Sequence, residues 1–386
     1  MRTQVLLLST IITVTTGVGC SGDDGPGPDA APVDAAPTDA PTDAPIDAAD
    51  IDATPLPPLG PGAATLSGGE QPGVTDGPRG TARFNNPVGV AVGPDGNIYV
   101  TDFDNSLVRR VTPDGEVTTL VDRQDFVRPF GITFAPDGTL YVQTDGNDGG
   151  GLSATTGTIW EIDTGDGSAQ VVARDVGRPR GLAALSDGRL VLVDYSAHYV
   201  QLLDPSQATP APTPLAGSPG VPDYADGNGT SARFNRPLGV VVADNDDIYL
   251  VDSENHCLRK LTIAGEVTTV TGTPQTPGSA DGTLAEAGFN LPYALAQDSA
   301  GSLYLSEQGT ARIRKLDLTG DAVTTIAGTG TAGYQDAEDP LQAQFFGLEG
   351  MDTDGADTYL YITDGNRGEE PPDSFPYHRV RRLSLP

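Results

Sequence analysis

The chain has 386 residues, with 53 Asp+Glu against 22 Lys+Arg and a net charge of -31. That balance leaves no basic face for phosphate contacts and argues against a nucleic-acid partner. Gly (49) and Pro (33) are too many for a helix bundle, since both break helices and favour turns. The 37% hydrophobic content still allows a buried core, and two cysteines cannot make a disulfide framework, so the composition reads as a turn-rich β protein with a disordered attachment.

Met1-Arg2 is a short positive start, followed by an apolar stretch from Val5 to Val14. It is shorter than the ~20 residues a membrane-spanning helix takes and fits the h-region of a signal peptide, here 1–19. Gly17-Val18-Gly19-Cys20-Ser21 resembles a bacterial lipobox, with Gly17 where Leu is usual; the resemblance implies lipidation of Cys20. Residues 20–62 repeat Asp-Ala-Ala-Pro and Thr-Asp-Ala-Pro units, with nine aspartates, no aromatic residue and no Lys or Arg. Such a segment cannot bury enough apolar surface to offset its ordering entropy, and like charge with Pro extends it. It reads as a tether from a lipid anchor, the one membrane contact, placing the protein in a bacterial cell envelope, at the outer membrane or cell surface. Cys257 is then left as a buried free thiol.

Residues 63–386 are periodic. One unit runs Asn86-Pro87-Val88-Gly89-Val90-Ala91-Val92, Pro94-Asp95-Gly96-Asn97-Ile98-Tyr99-Val100-Thr101-Asp102, Leu107-Val108-Arg109-Arg110-Val111 and Glu116-Val117-Thr118-Thr119-Leu120. These are four short runs of β-branched and apolar residues separated by turn signals, hence four strands. An acid closes the second strand at Asp102, Asp194, Asp252, Glu307 and Asp364, with Thr144 followed by Asp145 in the second unit. The opening Pro-x-Gly recurs at 129–131, 179–181 and 237–239 and is assigned in altered form to Pro292-Tyr293-Ala294 and Phe345-Phe346-Gly347. Six four-stranded units predict an all-β, six-bladed β-propeller. The last unit lacks a fourth strand, and Ala63-Ala64-Thr65-Leu66-Ser67-Gly68 supplies it from the other end of the chain. Residues 63–68 are therefore expected to close the ring.

Gly96-Asn97-Ile98-Tyr99-Val100-Thr101-Asp102 and Asn255-His256-Cys257-Leu258-Arg259-Lys260-Leu261 resemble the NHL repeat. The resemblance extends over about 63–386, with four clear copies and two eroded ones, units two and three. It implies the propeller fold, whereas function within that family ranges over RNA-binding propellers, sensors, scaffolds and a metal-dependent lyase.

His198, His256 and His378 occupy one repeat position at the start of the third strands. Strands spaced ~4.8 Å apart put such positions too far apart to share a zinc ion at ~2.0–2.1 Å. Asp102, Asp194, Asp252, Glu307 and Asp364 are either an acidic ring able to hold Ca²⁺ or turn acids that accept backbone N–H bonds. The 145–150 and 352–357 acidic turns lack a calcium-loop pattern. No Gly-x-Ser-x-Gly elbow, Cys–His pair in register or P-loop is present. Arg83 and Arg233, in matching Ala-Arg-Phe-Asn segments, read as structural. The variable residues of the lead-ins, Val88, Phe130, Arg180, Leu238, Tyr293 and Phe346, belong near the channel mouth. There they either plug the channel or bind a peptide or small molecule. The enlarged loops 145–157 and 365–377 (Glu369, Glu370, Pro371, Pro372, Phe375, Tyr377) are expected on the same face. The reading is a non-catalytic binding or scaffold module for an envelope protein, peptide or small molecule. The alternative is a metal-dependent hydrolase, lactonase or lyase with its site at the channel mouth.

Overall fold

A computed structural model of the chain describes residues 59–153, 155–365 and 377–386. Signal segment 1–19, Cys20, the tether as far as residue 58 and most of the 365–377 loop lie outside the described residues. The rest is a six-bladed propeller. Blade one is Pro87–Val92, Ile98–Asp102, Leu107–Val111 and Val117–Asp122, each antiparallel to the next. Blades two and three repeat this order from Pro129–Phe134 and Pro179–Ala184, and blades four and five from Pro237–Val242 and Pro292–Gln297.

The sixth blade joins the two ends of the chain. Gly350–Thr353, Tyr359–Asp364 and His378–Ser384 supply three strands, and Ala63–Gly69 is the fourth, paired antiparallel from Ala63 opposite Leu383 to Gly69 opposite His378. The expected closing strand is thus present. It also copies an ordinary outer strand residue for residue. Thr65 donates its N–H and hydroxyl to Asp336 just as Thr119 donates to Asp76. Ala63 bridges Ala337 as Val117 bridges Gly77.

Short β-branched strands bury both faces because each sheet is packed between two others. The junction of blades six and one, for example, holds Leu66, Phe84, Val90, Ile98, Val100, Tyr361 and Val380, all buried. Around the axis the innermost strands approach closely enough to require glycine. A Cβ on Gly89 would stand 2.2 Å from the Phe130 carbonyl oxygen, and one on Gly350 would stand 2.4 Å from that of Val88. The recurring lead-in glycine is therefore a consequence of backbone contact between blades. Cys257 is a buried free thiol, and burial pushes its pKa up.

Candidate ligand face at the channel mouth

Four blades repeat one buried polar assembly. Arg109 in the third strand of blade one donates to Asp102 (2.8 Å) and to Asp76 (2.7 Å), and it lies 5.1 Å over the Phe84 ring. Arg259 does the same with Asp252 (2.6 Å), Asp226 (2.7 Å) and Phe234 (5.2 Å). Arg314 bridges Glu307 and Asp281 over Phe289, and Arg381 bridges Asp364 and Asp336 over Phe345. These arginines are fully buried. Burial raises the Asp102 carboxyl to about 7 and the Asp252 carboxyl to about 6, with Arg109 and Arg259 pulling the other way. The second oxygen of each acid accepts a backbone N–H from the loop leading into the blade, Asn85 at 2.7 Å, Asn235 at 2.7 Å and Asn290 at 2.7 Å.

Blades two and three are built differently. Trp160 stands in the Arg position and donates its indole N–H to Thr144 (2.8 Å), with Phe126 at 5.4 Å in place of Phe84. In blade three Gln201 takes the Arg position and donates to the Val176 carbonyl. Asp194 accepts backbone N–H bonds from Arg178, Ser196 and Ala197 instead, and burial raises its pKa.

The five candidate cation acids are thus engaged one by one within their own blades. They do not form a ring of free oxygens. Among the described residues no group of three or more His, Cys, Asp and Glu could hold a metal ion. In the 145–150 turn Asn147 accepts N–H bonds from Gly149 and Gly151, and Asp148 pairs with Arg174. Arg83 and Arg233 donate to carbonyls of their own loops, Gly80 and Ala82 in one case, Thr230 and Ala232 in the other.

The three histidines act as latches between blades. His198 Nδ1 accepts the Arg236 backbone N–H at 3.0 Å, His256 that of Leu291 at 3.2 Å and His378 that of Asn86 at 3.1 Å. Ser106 fills the position in blade one and accepts from Arg128 (3.2 Å). Burial lowers the pKa of both His198 and His256. They do not come together at any site.

A narrow cavity of about 80 Å³ runs along the axis, lined by the innermost strands; Val88, Phe130, Arg180 and Glu349 are in its wall. One sequence expectation needs correction here. Gly350 pairs with Thr363 as Gly89 pairs with Thr101, so the lead-in of blade six is Leu348-Glu349-Gly350 and not Phe345-Phe346-Gly347. Phe345 is the counterpart of Phe84. Phe346 is that of Asn85, its N–H donating to Asp364 at 2.8 Å. The lead-in altered in sequence hid this shift; the Phe that supports each arginine would have fixed it. Val88 and Leu238 are buried, and Tyr293 and Phe346 are half-buried, Phe346 stacking on Tyr377 at 4.0 Å.

Arg180 lies 4.2 Å over Phe130 and 5.3 Å over Phe103, with its guanidinium 3.1 Å from Asp145. Arg178 reaches the same carboxylate at 2.8 Å. Burial raises the Asp145 carboxyl, but Arg180 and Arg178 outweigh it and hold the group below its ordinary value. Phe103, Arg178 and Asp145 were absent from the sequence candidates, although Arg-Pro at 128–129, 178–179 and 236–237 was a visible signal.

Two segments, 84–111 and 234–261, match the NHL repeat family. Each spans one complete Phe–acid–Arg set. Human NHL repeat-containing protein 2 is 23% identical over 321 residues, 78% of this chain and 40% of that protein. The chain spans less than half the length of the curated relatives it matches. An auxiliary nutrient binding protein from Bacteroides thetaiotaomicron has a TM-score of 0.64 at 18% identity, covering 83% of this chain and 75% of its own. A gluconolactonase from Xanthomonas campestris gives 0.54 at 16%, covering 86% and 97%. At these identities the likeness is one of fold. The chain is a six-bladed β-propeller in which two segments match the NHL repeat.

Proposed function

We propose that this propeller is a non-catalytic binding module whose ligand face is the channel mouth, held in a bacterial cell envelope by a lipid on Cys20 and the Asp/Ala/Pro tether. The carrying observation is the division of labour among its polar groups. The repeated acids and histidines, which hydrolysis or elimination would need, are bonded to arginines and backbone N–H groups inside the fold. The residues that depart from the repeat gather instead on one rim, around Phe103, Phe130, Asp145, Arg178 and Arg180. A pre-formed concave mouth with aromatic and charged groups suits recognition of a small molecule or peptide. The fold shared with an auxiliary nutrient binding protein agrees with this reading; the fold is also shared with a gluconolactonase, but among the described residues no cluster of acids able to hold a metal ion accompanies it.

The test is to melt the full-length chain with a panel of peptides and envelope saccharides and to recover each compound by mass spectrometry. A ligand should raise Tm, be recovered unchanged, and lose its effect in Phe103→Ala but not in Glu161→Gln at the opposite edge. Recovery of a converted product would overturn the non-catalytic reading.

A further inference from the structure

We infer that the mouth recognises an oxyanion, a carboxylate, phosphate or sulfate group carried by a small ligand, through an arc of arginines leading into blades two, three and four. This rests on reading the channel mouth as the binding face. At each junction between blades, the residue that follows the second strand meets the residue that precedes the next lead-in. At three consecutive junctions these pairs are Phe103 with Arg128, Asp145 with Arg178 and Tyr195 with Arg236. At the other three the same positions hold Ser253 and Leu291, Gln308 and Gly347, and Gly365 and Asn86. Three consecutive junctions thus carry an arginine, and among the described residues the same positions at the other three carry none. The contrast matters in a chain carrying -31 overall, where Lys+Arg number only 22.

The arc is built rather than incidental. Each arginine is anchored at its backbone: Arg128 N–H on Ser106 Oγ, Arg178 N–H on Asp194, Arg236 N–H on His198 Nδ1. Each guanidinium is then oriented by the preceding blade. Arg128 lies 5.6 Å over Phe103, Arg236 lies 5.3 Å over Tyr195, and Arg178 is held by Asp145. Among the described residues Arg128 makes no ion pair and no side-chain hydrogen bond. A guanidinium laid against a ring keeps its N–H edge for a planar or tetrahedral oxyanion and loses little freedom on binding one.

Four carboxylates lie on or beside this arc. Asp145 takes both Arg178 and Arg180, Glu254 is 3.6 Å from Arg236, Asp104 follows Phe103, and Glu349 lies in the channel wall. The aromatic rings are covered by arginines, Phe103 by both Arg128 and Arg180, so they support charge instead of offering open stacking faces. Arg180 also stands in the wall of the axial cavity, next to this arc. At 0.15 M salt, screening over ~8 Å leaves the local arc, not the net charge, to decide the sign felt by a bound group.

The experiment uses the full-length chain at pH 7.5 with sodium citrate, inorganic phosphate and sodium sulfate, each against NaCl at equal ionic strength. Titration calorimetry and Tm should show saturable binding of at least one anion. The preferred anion separates a carboxylate source from a phosphate or sulfate one. Arg128→Gln and Arg236→Gln should each weaken it roughly tenfold, the effect of one lost charged hydrogen bond. Arg189→Gln, at an exposed pair with Asp187, should leave it unchanged. Responses no different from NaCl, or equal affinity in Arg128→Gln, overturn the assignment. A neutral ligand lost in Phe103→Ala and retained in Arg128→Gln overturns the oxyanion while leaving the binding face standing.

Discussion

Arg109, Arg259, Arg314 and Arg381 show how a propeller of few basic residues uses them. Four of its scarce cations are placed where removing one partner leaves a charge buried and uncompensated. Blades two and three show the alternatives: a Trp–Thr hydrogen bond over Phe126, and a Gln with the acid handed to backbone N–H groups. The acids were legible in the sequence because each closes a strand. Their arginines were also legible, seven residues on in blades one, four and five, but the sequence reading treated the acids alone. What they bind could not be read, since the second acid of each set lies on a separate loop 33 residues before the arginine in those blades. The histidine latches carry a pH signature. A neutral Nδ1 is needed to accept the N–H, and burial lowers the folded pKa of His198 and His256 below the unfolded value near 6.5. The unfolded chain therefore binds the extra proton, and this stability is present above ~6.5 and lost as pH falls toward and through the folded pKa. Asp102, Asp252 and Asp352, raised by burial, contribute with the opposite sign, so the difference between variants is the informative quantity. Between pH 7.5 and 5.5, wild type should lose more stability than His198→Ser/His256→Ser, in which a hydroxyl accepts as Ser106 does. Urea midpoints at each pH measure it; parallel curves would show that the latches do not titrate.

At the level of elements, the strand count, blade order and closing strand were all readable from the period, because tight turns and alternating burial leave marks every few residues. The lead-in of blade six was not, since the local pattern degenerates there and only the Phe345–Arg381 contact fixes its register. The closing strand is the element whose loss should be felt most. Leu66 is fully buried at the junction of blades six and one, and Thr65 completes the Asp336 set. Leu66→Ala should destabilise by about 3 kcal/mol. Deleting residues 63–68 should remove the cooperative urea transition, whereas deleting residues 21–58 should leave its midpoint unchanged. Equal effects of the two deletions would contradict the strand's role.

For the whole molecule, the charge divides between two parts. Residues 21–62 carry nine of the aspartates and Arg2 lies ahead of them, so residues 63–386 hold 21 minus 44, or -23. The propeller is acidic in its own right, and arginines at three consecutive junctions stand out against that charge. If Cys20 is the anchor, Cys20→Ala should move the protein from the membrane fraction to the soluble one; a variant that stays membrane-bound, with no acyl group on either form by mass spectrometry, argues against a lipid. The clasp between Ala63 and Leu383 also sets an order in time. The first strand of the ring to be synthesised pairs with a strand 320 positions later, Ala63 opposite Leu383. Five blades can assemble as the chain is made, but the sixth waits for both ends. Until residues 378–384 have emerged, Leu66 has no partner strand and the ring stays open.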